Sequence, residues 1–329
     1  MVNNEFCQEY GKYVLESFEF ECGMSLDNAV VEYNFLGCPK YDDDGNICNA
    51  VVFTHRFNDN CSSINNFDDI IKEGGPLDKN EYFIISITSL GYPESCSPST
   101  TDLKYNFPQY TFKDRVNFKK QFLKECLSIE KIHGIFSIGL GGYEALTWAC
   151  EYPQDMDFII VLGSSSSTNG YKYVLSKCVD SLIESNDSFY SDVYDESMST
   201  LMISILQLIY LNYFSKNIFK NLTNDEIDVL MEDFIDKGLF IDIYDFKFKN
   251  DAVLNYNIKD KLNNIEAKSL IMNPKGESFY SSKLDATPLA NSIPNSKLVL
   301  FDSKRDYSDI EDYTIVEDDL FEFLDEFKK

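Results

Sequence analysis

The 329-residue chain sets 29 Lys and Arg against 55 Asp and Glu, a formal net charge of -26. Such a surface repels nucleic acid and anionic membranes at long range, so neither is an expected partner. An apolar content of 44% supplies a substantial core, enough for one large α/β domain with an insertion or for two ordinary domains.

Val14–Tyr33 reads as paired strands, with Val14, Phe18 and Phe20 alternating, and Asp42-Asp43-Asp44-Gly45-Asn46 as a turn. Asn49–Thr54 is a short β-rich run ending at His55. After the turn Gly74–Asp78, Tyr82–Ile87 is a second buried strand. Between Phe112 and Ser128 the apolar positions Val116, Phe118, Phe122, Leu123 and Leu127 recur at helical spacing. Ile132–Ile138 then has strand length, Tyr143–Cys150 helical spacing, and Asp157–Leu162 is one more buried strand. Strands alternating with helices predict a mostly parallel sheet covered on both faces.

Residues 164–250 break this rhythm. They open on the low-complexity tract Ser164–Ser167, which reads equally as a site rim or a surface loop. Beyond it come the apolar stretch Leu201–Phe214 and the acidic helical stretch Asp225–Gly238. Ser204, Gln207 and Asn212 interrupt Leu201–Phe214, which is too short to span a bilayer and is expected to be a core-facing helix. The sheet pattern resumes in Ala267–Asn273 and Lys297–Phe301, and Val316–Phe327 closes as an acidic amphipathic helix. Residues 1–163 and 251–329 are therefore expected to form the core and 164–250 an inserted helical cap. Glu5 stands where a signal peptide would carry base, and nine cysteines without a C-x-x-C pair read as reduced thiols; a cytoplasmic location and no membrane insertion are expected.

One turn carries the functional question. Phe136-Ser137-Ile138-Gly139-Leu140-Gly141-Gly142 sits between a buried strand and a helix, as does the G-x-S-x-G elbow that displays a nucleophilic serine, yet Gly139 occupies the serine position. An elbow recentred on Ser137 would put Ile135 where a small residue is required. Cys126 and Cys150 flank the turn without an obvious base and read as structural thiols. The segment lacks the spacing and the Lys of a phosphate loop, and no metal cluster is expected.

In order along the chain, these words resemble the homoserine O-acetyltransferase family of α/β-hydrolase-fold acyltransferases. They are Leu26-Asp27-Asn28-Ala29, Tyr33-Asn34-Phe35-Leu36-Gly37, Asn49–Phe57, Gly75-Pro76-Leu77-Asp78 with Tyr82–Ile85, Ser97-Pro98-Ser99, Phe107-Pro108, Thr111–Asp114 with Val116, Gly141–Ala149 and Tyr152-Pro153. The resemblance covers most of residues 10–165 and, more loosely, 250–325. It implies an α/β-hydrolase fold, a mostly parallel central sheet flanked by helices with an inserted helical cap, and acetyl transfer through an acyl-enzyme on a Ser, Asp and His triad.

By that resemblance the nucleophile position falls on Gly139. The acid position falls near Glu277, in Asn273–Tyr280, where no Asp occurs. The base position falls near Asp306, in Asp302–Asp309, where no His occurs. The chain has two histidines: His55, matching the family's loop histidine, and His133, six residues before Gly139. Both read as structural. The oxyanion-hole amides would be those of Phe57 and Leu140.

The leading expectation is a catalytically disabled member retained for binding a small molecule or a protein partner, with homodimerisation left open. No cofactor is expected, and acetyl-CoA would serve only if acyl transfer survives. Two readings stay beside it: an active acyltransferase or esterase with a relocated nucleophile at Ser137 or in the cap, and a lyase or isomerase using Glu277, Asp306 and cap tyrosines as acid and base.

Overall fold

The computed structural model describes residues 8–191, 194–213, 216–275, 279–302 and 315–327. Strands β1 (Gln8–Glu19) and β2 (Ser25–Leu36) open the chain as a long antiparallel hairpin, extending the expected pair at both ends. The remaining strands are β3 (Ala50–Thr54), β4 (Phe83–Ile87), β5 (Gly134–Ile138), β6 (Phe158–Leu162), β7 (Lys268–Pro274) and β8 (Ser296–Phe301). They join one eight-stranded sheet in the order β1-β2-β4-β3-β5-β6-β7-β8, antiparallel at β1-β2 and β2-β4 and parallel from β4 to β8.

Helices are α1 (Asp68–Ile71), α2 (Phe112–Leu127), α3 (Gly141–Glu151), α4 (Gly170–Glu184), α5 (Glu196–Tyr213), α6 (Lys216–Asn221), α7 (Asn224–Leu239), α8 (Ile243–Leu254), α9 (Thr287–Ser292) and α10 (Glu317–Asp325). Thr111 and Asp114 start α2 with a reciprocal capping box. Every residue of β3, β4, β5 and β6 is buried, which is why these strands read as unbroken apolar runs. Alternate residues feed opposite faces: Val52, Ile135, Ile159 and Val161 pack on one side with α2 and α3, while Val51, Phe53, Phe136, Ile138 and Ile160 pack on the other with α10.

A third core, built by Val179, Ile183, Met198, Met202, Ile205 and Ile243, holds α4, α5 and α8 together above the strand ends. Helices α4 and α8 carry no helical signature strong enough to single out. In α8 the charged and polar residues Asp245, Lys247, Lys249 and Asn250 are themselves buried, so the apolar stripe that marks a surface helix is missing. That helix runs to Leu254, past the boundary expected at residue 250. The Ser164–Ser167 tract is not a surface loop: its four residues are at most 9% exposed, packed between β6 and α4. No helix among the described residues is long and apolar enough to cross a membrane.

Candidate functional site

The strand-to-helix turn after β5 is formed as an elbow. Gly139 takes φ +58°, the left-handed region that costs a side-chain-bearing residue strain. Its amide donates to Leu162 O at 2.9 Å and its carbonyl accepts from the Gly142 amide at 3.1 Å. The two glycines that follow are required by space. A Cβ on Gly141 would stand 2.1 Å from Thr54 O, and one on Gly142 would stand 2.3 Å from Ser164 Oγ. Helix α3 thus starts pressed against the β3 backbone and the Ser164 side chain, a packing that leaves no room for side chains.

Neither Ser137 nor either histidine reaches this turn in a reactive state. Ser137 is fully buried and donates to Ile160 O at 2.8 Å, so its hydroxyl is spent within the sheet. His55 is 1% exposed. Its Nδ1 lies 2.9 Å from Arg56 O and its Nε2 accepts the Ser89 amide at 3.1 Å, a pair of contacts that assigns the neutral tautomer protonated on Nδ1. Burial, and then the positive charge of Lys119, push its pKa down to about 3. His133 lies at the start of β5, at the opposite end of the sheet, where Nδ1 pairs with Asp157 Oδ2 at 2.9 Å. Glu277 and Asp306 lie outside the described residues. Cys150 is buried and Cys126 partly so, and burial raises their thiols to about 12 and about 11.

Phe57 and Leu140 both line a cavity of about 360 Å³ between the strand ends and the cap. Among the described residues neither backbone amide donates a hydrogen bond. The cavity wall is mainly aromatic and aliphatic, with Tyr143, Tyr210, Phe234, Phe246 and Tyr280 prominent. Its charged members are Arg56, Asp59, Lys172, Asp233 and Lys237. Lys172 is held by a buried ion pair to Asp285 at 2.6 Å, joining cap helix α4 to the core, and Lys237 pairs with Asp233. Burial raises the Asp59 carboxyl above its ordinary range.

Beneath the cavity lies a buried ionic network absent from the sequence reading. Glu144, on α3, accepts Ser89 Oγ at 2.7 Å and faces Arg115 at 3.4 Å and Lys119 at 3.3 Å. Burial would raise its pKa, but Lys119 and Arg115 outweigh it and hold the carboxyl below the usual range. The Arg115 guanidinium lies about 5 Å from the ring centroids of Tyr92, Tyr110 and Phe112. A sequence signal existed: the chain has three arginines, and two of them, Arg56 and Arg115, converge on this end of the sheet.

A second unread residue is Lys249 on α8. It is 5% exposed, its Nζ donates to Phe57 O at 2.8 Å, and it lies 4.2, 4.4 and 5.6 Å from the ring centroids of Phe57, Tyr92 and Phe246. Among the described residues no group of three His, Cys, Asp or Glu side chains is placed to hold a metal ion.

Residues 49–303 match the model of the alpha/beta hydrolase fold family. A probable acyltransferase of Methanothermobacter thermautotrophicus is 38% identical over 292 residues, covering 89% of this chain and 90% of its own length. The homoserine O-acetyltransferase of Corynebacterium glutamicum is 25% identical over 183 residues, 54% of this chain and 48% of its own. Among solved structures, homoserine O-acetyltransferase from Bacillus anthracis superposes with a TM-score of 0.84 at 17% identity, covering 96% of this chain and 97% of its own. Esterase E22 gives 0.84 at 18%, covering 96% and 100%. At such identities the likeness to the solved structures is one of fold.

Proposed function

Because the chain belongs to the homoserine O-acetyltransferase-like members of the α/β-hydrolase fold family, we propose that it is a member whose acyl-transfer centre is dismantled and whose cavity under the cap serves binding. The single observation that carries this reading is Gly139 at φ +58°, in a formed elbow, with no nucleophile on it. The histidines support it. One is locked neutral in the core and the other is paired at the far end of the sheet. Backbone donors at Phe57 and Leu140 outlast the loss of side-chain chemistry, and under this reading they hold a ligand's oxygen rather than a developing oxyanion. The cap, residues 164–250 in this reading, closes the cavity and supplies its aromatic wall.

Loss of the nucleophile from a triad typically lowers turnover on the order of a million-fold. Purified protein supplied with acetyl-CoA and homoserine, or with a chromogenic acetyl ester, is therefore expected to give no product above a heat-denatured control. Turnover that scales with folded protein would overturn the reading. A second reading, an acyltransferase or esterase with a relocated nucleophile, draws its support from the 38% identity to a probable acyltransferase across nearly the whole chain. Ser137 does not serve it, being buried and hydrogen-bonded within the sheet; covalent labelling by an acyl donor, mapped by mass spectrometry, would locate any other residue.

A further inference from the structure

The charged residues that line the cavity under the cap are answered from within the chain. Lys172 pairs with Asp285 and Lys237 with Asp233. Asp59 accepts the Arg56 backbone amide and sits in the field of the Arg56 and Lys249 charges, and Arg56 is itself engaged. A charged ligand would therefore give up its hydration in this cavity without gaining a free counter-ion, a cost that a neutral one does not meet.

Two polar side chains on the cap side of the cavity remain unspent. Asn250 on α8 and Ser176 on α4 line it beside Leu175, Val179 and Val253. The Asn250 Nδ2 donates to Ser176 O at 3.0 Å. A carbonyl can only accept, so this bond fixes which way the side-chain amide faces and leaves Oδ1 directed elsewhere. Asn250 is 4% exposed, yet its Oδ1 accepts no hydrogen bond among the described residues and, unlike Asn273 Oδ1, is not sealed in the core. The little surface this side chain keeps opens on the cavity it lines. Ser176 Oγ makes no hydrogen bond among the described residues either.

An apolar wall with one acceptor and, beside it, one hydroxyl is matched by a head group that donates to the first and accepts from the second. We propose that Asn250 and Ser176 form a donor-reading subsite of the cavity. It takes neutral ligands whose polar head both donates and accepts, a carboxamide or a hydroxyl on an aromatic or aliphatic body. The proposal rests on the reading of the cavity as the ligand site. The ligand's N–H or O–H donates to Asn250 Oδ1, and Ser176 Oγ donates to the oxygen of the head. The body lies against the stacked rings of Tyr210 and Phe234, which line the same space. A carboxylate head brings no proton for Oδ1, and a methylated head leaves that acceptor buried and unpaired, which is the source of the selectivity.

The test titrates the whole protein, followed by NMR, with two probe pairs: benzamide against N,N-dimethylbenzamide, and benzyl alcohol against benzyl methyl ether. At least one parent is expected to bind about five-fold or more tighter than its methylated partner, and the parent so preferred names the head. Asn250→Leu, close in size, is expected to bring parent and partner within about two-fold of each other. Because that change also removes a bond between α8 and α4, Ser176→Ala serves as a second variant: it keeps the backbone carbonyl that Asn250 meets and is expected to cut the preference about two-fold. Ile209→Trp, which fills the cavity from α5, is expected to abolish binding of every probe. Equal binding of parent and methylated partner, or a preference unchanged in both Asn250→Leu and Ser176→Ala, overturns the subsite and leaves the cavity as a ligand site. Binding that survives Ile209→Trp, or no binding of any probe, overturns both.

Discussion

The two ends of β5 carry the chain's two kinds of histidine environment, and they invert the usual expectation of where chemistry lies. At the elbow end His55 is sealed in the core, neutral, with both ring nitrogens committed to backbone groups. At the opposite end His133 has a carboxylate partner in Asp157, the pairing that in a hydrolase orients a catalytic base, but no elbow accompanies it. The histidine–carboxylate pair thus lies at the end without an elbow, and the formed elbow carries no side-chain nucleophile at Gly139. What separates the ends is how much each depends on buried polar contacts.

The largest expected effect falls on the elbow end. Glu144→Ala removes the one carboxylate shared by buried Arg115 and Lys119 and is expected to cost about 3–5 kcal/mol, read by urea unfolding. A cost below about 1 kcal/mol would break the contrast between the two ends. Next, His55→Ala leaves the Arg56 carbonyl and the Ser89 amide without their partner and is expected to cost about 2–3 kcal/mol.

The same residue gives a pH signature. With its folded pKa near 3 and an unfolded value near 6.5, the unfolded state binds more protons between those limits, so stability falls as pH drops through that window. His55→Gln is expected to remove up to about 1.4 kcal/mol per pH unit of that slope. An unchanged acid limb in the variant's unfolding curve would show that His55 is not held neutral.

Smaller still, Gly139→Ser places a side chain in the left-handed region and is expected to lower stability by about 1–2 kcal/mol while restoring no esterase activity. Recovered hydrolysis would mean that a base exists which the two-histidine inventory misses. At the far end, His133→Asn is expected to change stability by no more than about 1 kcal/mol, because its partner Asp157 is partly exposed and also pairs with Lys131. A larger effect there than at His55 would reverse the comparison.

Much of the sheet was legible because its parallel strands are buried on both faces and so read as continuous apolar runs, as at Val51-Val52-Phe53 and Ile159-Ile160-Val161. The elbow was legible because strand, glycines and helix lie together in one contiguous stretch of sequence, Gly134–Glu151. What stayed hidden depends on contacts across the fold. Lys249 looks like any lysine in a Tyr/Phe-rich stretch until Phe57, 192 residues away, supplies its hydrogen bond and its wall. Glu144 likewise reads as a helix-surface acid, and only the folding of α2 against α3 turns it into the keystone of a buried triad of charges. Burial of Ser164–Ser167 was obscured by composition, since a run of serines carries a loop signature wherever it ends up.

The left-handed turn at Gly139 also bears on reversibility. Serine there would raise the energy of the native state before any base arrived to use it, and a base would need a histidine in a stretch of sequence that has none after residue 133. Under the proposed reading, each single step toward a hydrolytic centre is therefore uphill in stability and silent in activity. Under that reading the glycine acts as a ratchet, leaving the scaffold open to changes in what its cavity holds but not, one substitution at a time, to hydrolytic chemistry.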